Sequence, residues 1–241
     1  MPKTKPDYGI DSPNAVIGML IIGIVCITSG LFLVLPDIGN TGIKLNTALI
    51  GYGIPFLVSG VLMLIYSQYG KFRHRDKILS LLKLQGHENI LDVGTGKGLL
   101  MIGAAKKLTT GKVSGIDIWN KKCLTGNTMD NAQLNAKLEN VTGKIELLNQ
   151  DARKLNFSDG YFDVIISNRC INHIKIREER ENACREIYRV LKPNGTIIIS
   201  DIKFAKEYSQ YFNSIGASAQ ISRPYFFKTF PASRIVKVKK P

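Results

Sequence analysis

The stretch Ile90-Leu91-Asp92-Val93-Gly94-Thr95-Gly96-Lys97-Gly98-Leu99-Leu100 is the most informative in this chain of 241 residues. A short apolar run ends in an acid, passes three glycines at alternate positions and opens into a helical pattern. The spacing predicts a strand, a tight turn and a helix start, the geometry that holds a nucleotide-like ligand. Glycines let the backbone approach such a ligand, and the helix N-terminus offers N–H groups and a partial positive charge. An ordinary glycine turn has the same residues, so the reading rests on what accompanies the turn.

Dinucleotide sites want G-x-G-x-x-G, and Leu99 stands where the last glycine belongs. Asp92-x-Gly94-x-Gly96-x-Gly98 instead resembles motif I of the class I methyltransferases that use S-adenosylmethionine. Four further segments follow in the family's order. Lys112 to Asp117 is a second short strand ending in an acid, where a carboxylate accepts ribose hydroxyls in Rossmann-type sites. Asn149-Gln150-Asp151-Ala152, after a strand from Lys144 to Leu148, resembles the adenine-binding segment. Phe162 to Asn168 resembles the fourth strand, and Leu191-Lys192-Pro193-Asn194-Gly195 the turn into a fifth, Thr196 to Asp201. The resemblance covers the chain from about residue 76 onward. It implies that Gly94, Thr95, Gly96 and Gly98 wrap the methionyl part of the cofactor, with Asp92 at the edge of that pocket. Asp117 would take the ribose, Ile118 and Trp119 would lie against the adenine, and Asp151 and Ala152 would meet its edge. Asn168 would line the passage to the methyl group or act as a strand-end cap.

Two halves of different composition bound the rest. Up to Gly70 there are three basic and three acidic residues, so all of the formal charge of +14 lies in residues 71–241. The neutral half holds two uncharged apolar runs, Ala15 to Leu35 and Ala48 to Tyr66, of 21 and 19 residues. At about 1.5 Å per helical residue each crosses a hydrocarbon core of about 30 Å. The first is long for a signal peptide and lacks an obvious cleavage site. Two runs joined by a short loop, Pro36 to Thr47, predict a transmembrane hairpin. Pro55 is expected to kink its second helix, and Gly51, Gly53, Ser59 and Gly60 to allow close helix approach. Lys3, Lys5 and the run Lys71-Phe72-Arg73-His74-Arg75-Asp76-Lys77 flank the hairpin, against Lys44 alone in its loop. The positive-inside rule then places both ends in the cytoplasm, where S-adenosylmethionine is made. Cys26, Cys123, Cys170 and Cys184 are scattered without metal-ligand spacing and suit a reducing compartment; no metal is expected.

The predicted organisation is an N-terminal arm (1–14), the hairpin (15–69), a basic juxtamembrane linker with a first helix (70–85) and a methyltransferase domain (86–241). Helical patterns over Asp76–Gln85, Leu99–Leu108, Met129–Glu139 and Glu178–Leu191 alternate with the strands. That alternation predicts an α/β fold, a Rossmann-like class I methyltransferase sheet with both faces covered, preceded by two transmembrane helices. A further helix, Ala205 to Ile215, precedes strand-like runs Ile221–Phe227 and Arg234–Lys239, where the family implies an antiparallel hairpin.

Methyl transfer from a sulfonium is an in-line displacement, so positioning and water exclusion do much of the work. His173, in Ser167-Asn168-Arg169-Cys170-Ile171-Asn172-His173, is the candidate general base; a backbone-bonding or capping role is the alternative. Cys170 reads as packing, and Arg169 either meets an acidic substrate or faces solvent. The loop holding Gly126-Asn127, with Asn135-Ala136 beyond it, is either a substrate lid or a longer connection. Asn168-Arg169-Cys170 lacks the Pro-Pro-aromatic signature of base amino-methylating enzymes, and the paired glutamates of arginine methyltransferases are missing. What remains resembles the quinone- and sterol-type small-molecule methyltransferases. The basic residues, Lys71, Arg73, Arg75 and Lys77 with Arg234, Lys237, Lys239 and Lys240, favour membrane apposition over nucleic acid, for which no motif is present. The predicted function is a membrane-anchored methyltransferase acting on a small, amphiphilic acceptor such as a quinone precursor or a lipid. Its alternatives are an NAD-dependent oxidoreductase and a non-catalytic S-adenosylmethionine-binding module.

Overall fold

A computed structural model describes residues 4–33, 44–225 and 229–241. The chain divides into two compact units. One holds Ile10–Tyr69 together with Lys122–Thr125, and the other holds the arm up to Gly9 with Gly70–Lys121 and Gly126–Pro241. The arm expected as a separate segment is therefore split at Gly9.

The second unit is built on a seven-stranded sheet of order β3-β2-β1-β4-β5-β7-β6. Strands β1 (Asn89–Val93), β2 (Lys112–Asp117), β3 (Ile145–Asn149), β4 (Phe162–Asn168) and β5 (Leu191–Asp201) are parallel, and β7 (Arg234–Lys239) is antiparallel to both β5 and β6 (Ser218–Ile221). The helices between them are α4 (Leu99–Ala105), α5 (Met129–Leu138), α6 (Arg177–Val190) and α7 (Ala205–Ser214). Alternate residues of each strand feed opposite cores. Leu91, Val93, Ile165, Ile197 and Ile199 pack with Ala183, Ile187 and Phe212, whereas Ile90, Val164, Ile166 and Ile198 pack with Met101, Ile102 and Ala136. Strand order reverses between β1 and β4, the kind of switch point at whose carboxyl ends open α/β sheets bind ligands.

Several boundaries differ from expectation. The first helix of this unit, α3, spans Lys71–Ser80 rather than Asp76–Gln85 and follows a π-helical segment, Tyr66–Gly70, in the chain. Beyond it, Glu88 ties down the turn by accepting from the amides of Gln85 and Gly86. The turn before the fifth strand is a bulge inside β5: pairing jumps from Phe162 with Leu191 to Val164 with Thr196, and Asn194 has a φ of 59°. β6 ends at Ile221, short of Pro224, which has no N–H to continue a ladder. Part of the expected run to Phe227 lies outside the described residues.

The other unit contains α1 (Pro13–Phe32) and α2 (Leu45–Ile65). Both are long and apolar enough to cross a membrane by length and composition. Pro55 lies inside α2 without ending it. Most of the expected loop is outside the described residues, and Leu45–Thr47 already belong to α2. Their contact is made by glycines: a Cβ at Gly23 would stand 2.6 Å from the Leu57 amide nitrogen, and one at Gly53 2.9 Å from the Gly23 carbonyl. Gly51 has nothing within 4 Å, so it does not share the role of Gly53 and Gly60. Asn46 Nδ2 donates to the carbonyls of Gly30 and Leu33, satisfying the end of α1. Gly23→Val is therefore expected to lower the thermal midpoint in detergent micelles, by the equivalent of about 1–3 kcal/mol of overpacking. Gly51→Val should leave it unchanged; equal effects at both positions would remove the packing assignment.

Candidate functional site

Every parallel strand bears a polar residue at or next to its carboxyl end: Asp92, Asp117, Asn149, Asn168 and Asp201. Parallel register brings these ends level, since Asp117 pairs with Asn149 and Asn168 with Ser200. The turn Gly94–Gly98 crosses the same edge. Gly94 and Gly98 take φ of 76° and 84°, and a Cβ at Gly94 would overlap the Cys170 side chain. Cys170 is therefore the packing residue expected, seated against the glycine turn. Amides of Gly94 and Thr95 donate to the Ile116 carbonyl at 2.8 and 3.0 Å, which fastens the turn to β2.

Asp117 ties two backbone amides together. Its Oδ2 accepts from the Gly96 amide at 2.8 Å and its Oδ1 from the Trp119 amide at 2.6 Å. Each oxygen keeps lone pairs for further donors. Ile118 beside it is 58% exposed, whereas the indole N–H of Trp119 is buried without a partner. Asp92 is buried, and its Oδ2 has no partner. Burial raises its pKa to about 7, against hydrogen bonding from Thr95 and the Met101 amide. The side-chain oxygens of Asn168 and Asn127 are likewise buried and unpartnered. The orphaned acceptors of Asp92 and Asn168 at the strand ends, with the Asn127 acceptor and the Trp119 donor in the segment after β2, fit a ligand rich in hydroxyl and amino groups, as S-adenosylmethionine is.

Asp151 and Ala152 fit less simply. Asp151 pairs with Arg153 at 2.6 Å, and Arg153 also reaches Glu179 at 2.7 Å. Arg153 holds the Asp151 carboxyl below its ordinary range. Ala152 belongs to the core on the α6 side. His173 lies exposed on a 3₁₀ turn, Ile171–His173, with its amide bonded to the Cys170 carbonyl. Arg169 is half-buried, and its guanidinium donates to the carbonyls of Phe230 and Pro231, at 3.2 and 3.3 Å.

Other buried polar residues were not legible in the sequence. Asp201 is buried and accepts from the Asn172 amide at 3.1 Å, which ties the turn carrying His173 to β5. Burial raises its pKa to about 7 as well. His74 lies in the run read as a basic linker, yet it is 2% exposed, with Nε2 2.7 Å from the Ser200 hydroxyl. Burial, and then the charge of Arg169, lowers its pKa to about 4. Lys71 is buried too, donating to the carbonyls of Tyr8 and Gly9 at 2.8 and 2.5 Å, so it is unavailable to a membrane surface. Lys97 inside the glycine turn is 3% exposed.

Residues 91–199 match a family model described as a methyltransferase domain. The chain is 31% identical over 158 residues to a demethylmenaquinone methyltransferase of Lactobacillus johnsonii, a match covering 65% of this chain and 57% of that protein. A match to an uncharacterized protein of Haemophilus influenzae is 30% identical over 115 residues and covers 48% of this chain and 43% of the other. The chain thus spans about half the length of these curated relatives. Among solved structures, a SAM-dependent methyltransferase from Aquifex aeolicus shares the fold at a TM-score of 0.55 and 19% identity, over 69% of this chain and 89% of that one. The cyclase SpnF shares it at 0.60 and 15%, over 97% and 99%. The chain thus shares the fold of these solved structures, and its residues 91–199 match the methyltransferase-domain model.

The buried titratable groups set a pH dependence. Asp92 and Asp201 have folded-state pKa values raised from 3.8 to about 7, so their contribution is full below pH 3.8 and lost as pH rises through 7. His74, lowered from 6.5 to about 4, acts in the opposite sense: its contribution is present above 6.5 and lost as pH falls through 4. Relative to the parent, Asp92→Asn and Asp201→Asn should each gain thermal midpoint between pH 5 and pH 8. Parallel midpoint-against-pH curves for parent and variants would show that these carboxylates ionise without penalty.

Proposed function

We propose that this protein is a membrane-anchored, S-adenosylmethionine-dependent methyltransferase whose acceptor is a small amphiphile, a quinone precursor or a lipid. The observation that carries the reading is the set of unpartnered polar atoms at and beyond the strand ends, Asp92 Oδ2, Asn168 Oδ1, Asn127 Oδ1 and Trp119 Nε1, inside a chain whose residues 91–199 match a methyltransferase-domain model. Gly94, Thr95, Gly96 and Gly98 would hold the methionyl part, with Asp92 beside it, and Asp117 would take the ribose hydroxyls. Ile118 and Trp119 would cover the adenine, with Asp151 and Ala152 at its edge. When bound, S-adenosylmethionine supplies a methyl group on a sulfonium, a strongly activated electrophile. Asn168 and the turn Arg169–His173 then position the acceptor and exclude water, and His173 accepts a proton where the nucleophile arrives protonated.

Two findings support the amphiphilic acceptor. The chain is similar to a demethylmenaquinone methyltransferase, and α1 and α2 present exposed apolar side chains such as Ile17, Ile21, Val25, Tyr52, Phe56 and Val61. On this reading the two helices span the membrane, and both chain ends and the methyltransferase domain face the cytoplasm.

Asp117→Ala should weaken cofactor affinity at least tenfold, about 1.4 kcal/mol, because charge-assisted hydrogen bonds are lost. Calorimetric titration with S-adenosylhomocysteine measures this, and unchanged affinity would misplace the ribose site. The decisive experiment incubates the full-length protein in membranes with methyl-labelled S-adenosylmethionine and cell extract. Label entering the organic phase, lost in Asp117→Ala, is the expected result. Label confined to the aqueous phase would overturn the amphiphilic acceptor, and no transfer to any fraction would overturn the activity.

A further inference from the structure

The segment before α1 is bonded to the glycine turn itself. Lys97 Nζ donates to Asp7 Oδ2 at 2.7 Å, with the Lys97 side chain 2% exposed and that of Asp7 49%. Asn135 of α5 joins both partners: its Nδ2 donates to the carbonyls of Asp7 and Lys97 at 2.9 Å each, and its Oδ1 accepts from the Asp7 amide at 2.9 Å. On its other side Lys97 Nζ lies beside Gly126, 3.5 Å from where a Cβ would stand. Two more anchors hold the segment. Tyr8 donates to Glu139 at 3.0 Å and packs edge-on to Phe72, and the buried Lys71 ammonium caps the Tyr8 and Gly9 carbonyls.

A buried ammonium is tolerated only when a counter-charge and hydrogen bonds replace its water. Asp7 supplies that charge from 90 residues away in sequence, and Lys97 lies between Gly96, whose amide Asp117 holds, and Gly98, which begins α4. The state of Lys97 therefore sets the path of the turn. We propose that Asp7 is a positioning residue for the cofactor site: through the buried Lys97 ammonium it locks Gly94–Gly98 in the conformation that receives the methionyl part of S-adenosylmethionine. The N-terminal arm is then a working part of the site and not only a lead into α1. This rests on the proposed use of S-adenosylmethionine.

Calorimetry with S-adenosylhomocysteine on the full-length protein in detergent micelles tests it, beside thermal midpoints. Asp7→Asn keeps the shape and removes the charge, and should weaken binding about tenfold. Asp7→Glu, which restores the carboxylate, should recover most of that loss. Tyr8→Phe removes the hydrogen bond to Glu139 without touching Lys97, so it should lower the midpoint while leaving affinity within about twofold. If the parent fails to bind S-adenosylhomocysteine, the functional reading falls. If the parent binds and Asp7→Asn binds equally well, the positioning role falls alone. It also falls if Tyr8→Phe weakens binding as much as Asp7→Asn, since affinity would then follow arm docking and not charge. An Asp7→Asn protein that fails to fold would place Asp7 in the fold, and Asp7→Glu alone would then have to retain parental affinity for the proposal to stand.

Discussion

One carboxylate organises the strand-end edge on which the site is built. Asp117 holds the Gly96 amide with one oxygen and the Trp119 amide with the other, and hydrogen bonds to an ionised acceptor are about twice as strong as neutral ones. The same residue therefore shapes the turn after β1 and the start of the loop after β2. A ligand that bonds Asp117 through hydroxyls draws on a group already oriented, so little is lost in ordering it. The glycine turn after β1 and the start of the loop after β2 are mechanically one unit, because they share that side chain.

What was legible in the chain was whatever is local and periodic. Strand, glycine turn and helix start are contiguous between Asn89 and Ala105, and apolar alternation in Val164–Ile166 and Ile197–Ile199 marks strands covered on both faces. Ends of elements were harder. The π-helical Tyr66–Gly70 shifts α3 toward the N-terminus, and nothing in YSQYG announces that an α-helix continues beyond it. Charge patterning misled most. Lys71 and His74 sit among basic residues that look solvated, yet both are buried on the inward side of α3. Their partners, Gly9 and Ser200, lie 62 and 126 residues away, and composition carries no signal of such separation. Lys97 occupies a variable place in the glycine motif, and only the three-dimensional return of the arm gives it meaning.

Burying Asp92, Asp201 and His74 is a stability cost at neutral pH that an apolar core would avoid. The cost falls at the carboxyl ends of β1 and β5 and on the helix facing β5, where a Rossmann-like sheet binds ligands. Elsewhere the buried sheet residues are mostly aliphatic, with Phe162 and the uncharged Ser114, Ser167 and Ser200 among them. Unpartnered polar atoms cluster where the chain leaves strands β1, β2, β4 and β5, which is the distribution expected if their partners come from a ligand.

Part of the positive charge of the domain is engaged in internal contacts. Lys71 is occupied by carbonyls of the arm, Lys240 by those of Tyr188 and Leu191, Lys239 by that of Asn194, and Arg75 lies over Phe72 beside Asp76. Among Lys71, Arg73, Arg75 and Lys77, Lys71 is buried, Arg75 and Lys77 are half-buried and Arg73 is exposed. The hairpin answers better to what lipid demands. Its two helices are 20 and 21 residues long, about 30 Å of rise each. The Thr28 hydroxyl turns back onto the Ile24 and Val25 carbonyls, and Asn46 satisfies the end of α1. Polar groups that are internally paired beneath an apolar exterior lose little on leaving water, whereas the same exterior held in water is costly. On the proposed reading the anchor is therefore apolar burial, insensitive to salt and to headgroup charge. It confines the enzyme to acceptors that partition into the same bilayer, so local acceptor concentration follows the amphiphile's partitioning and not its aqueous solubility.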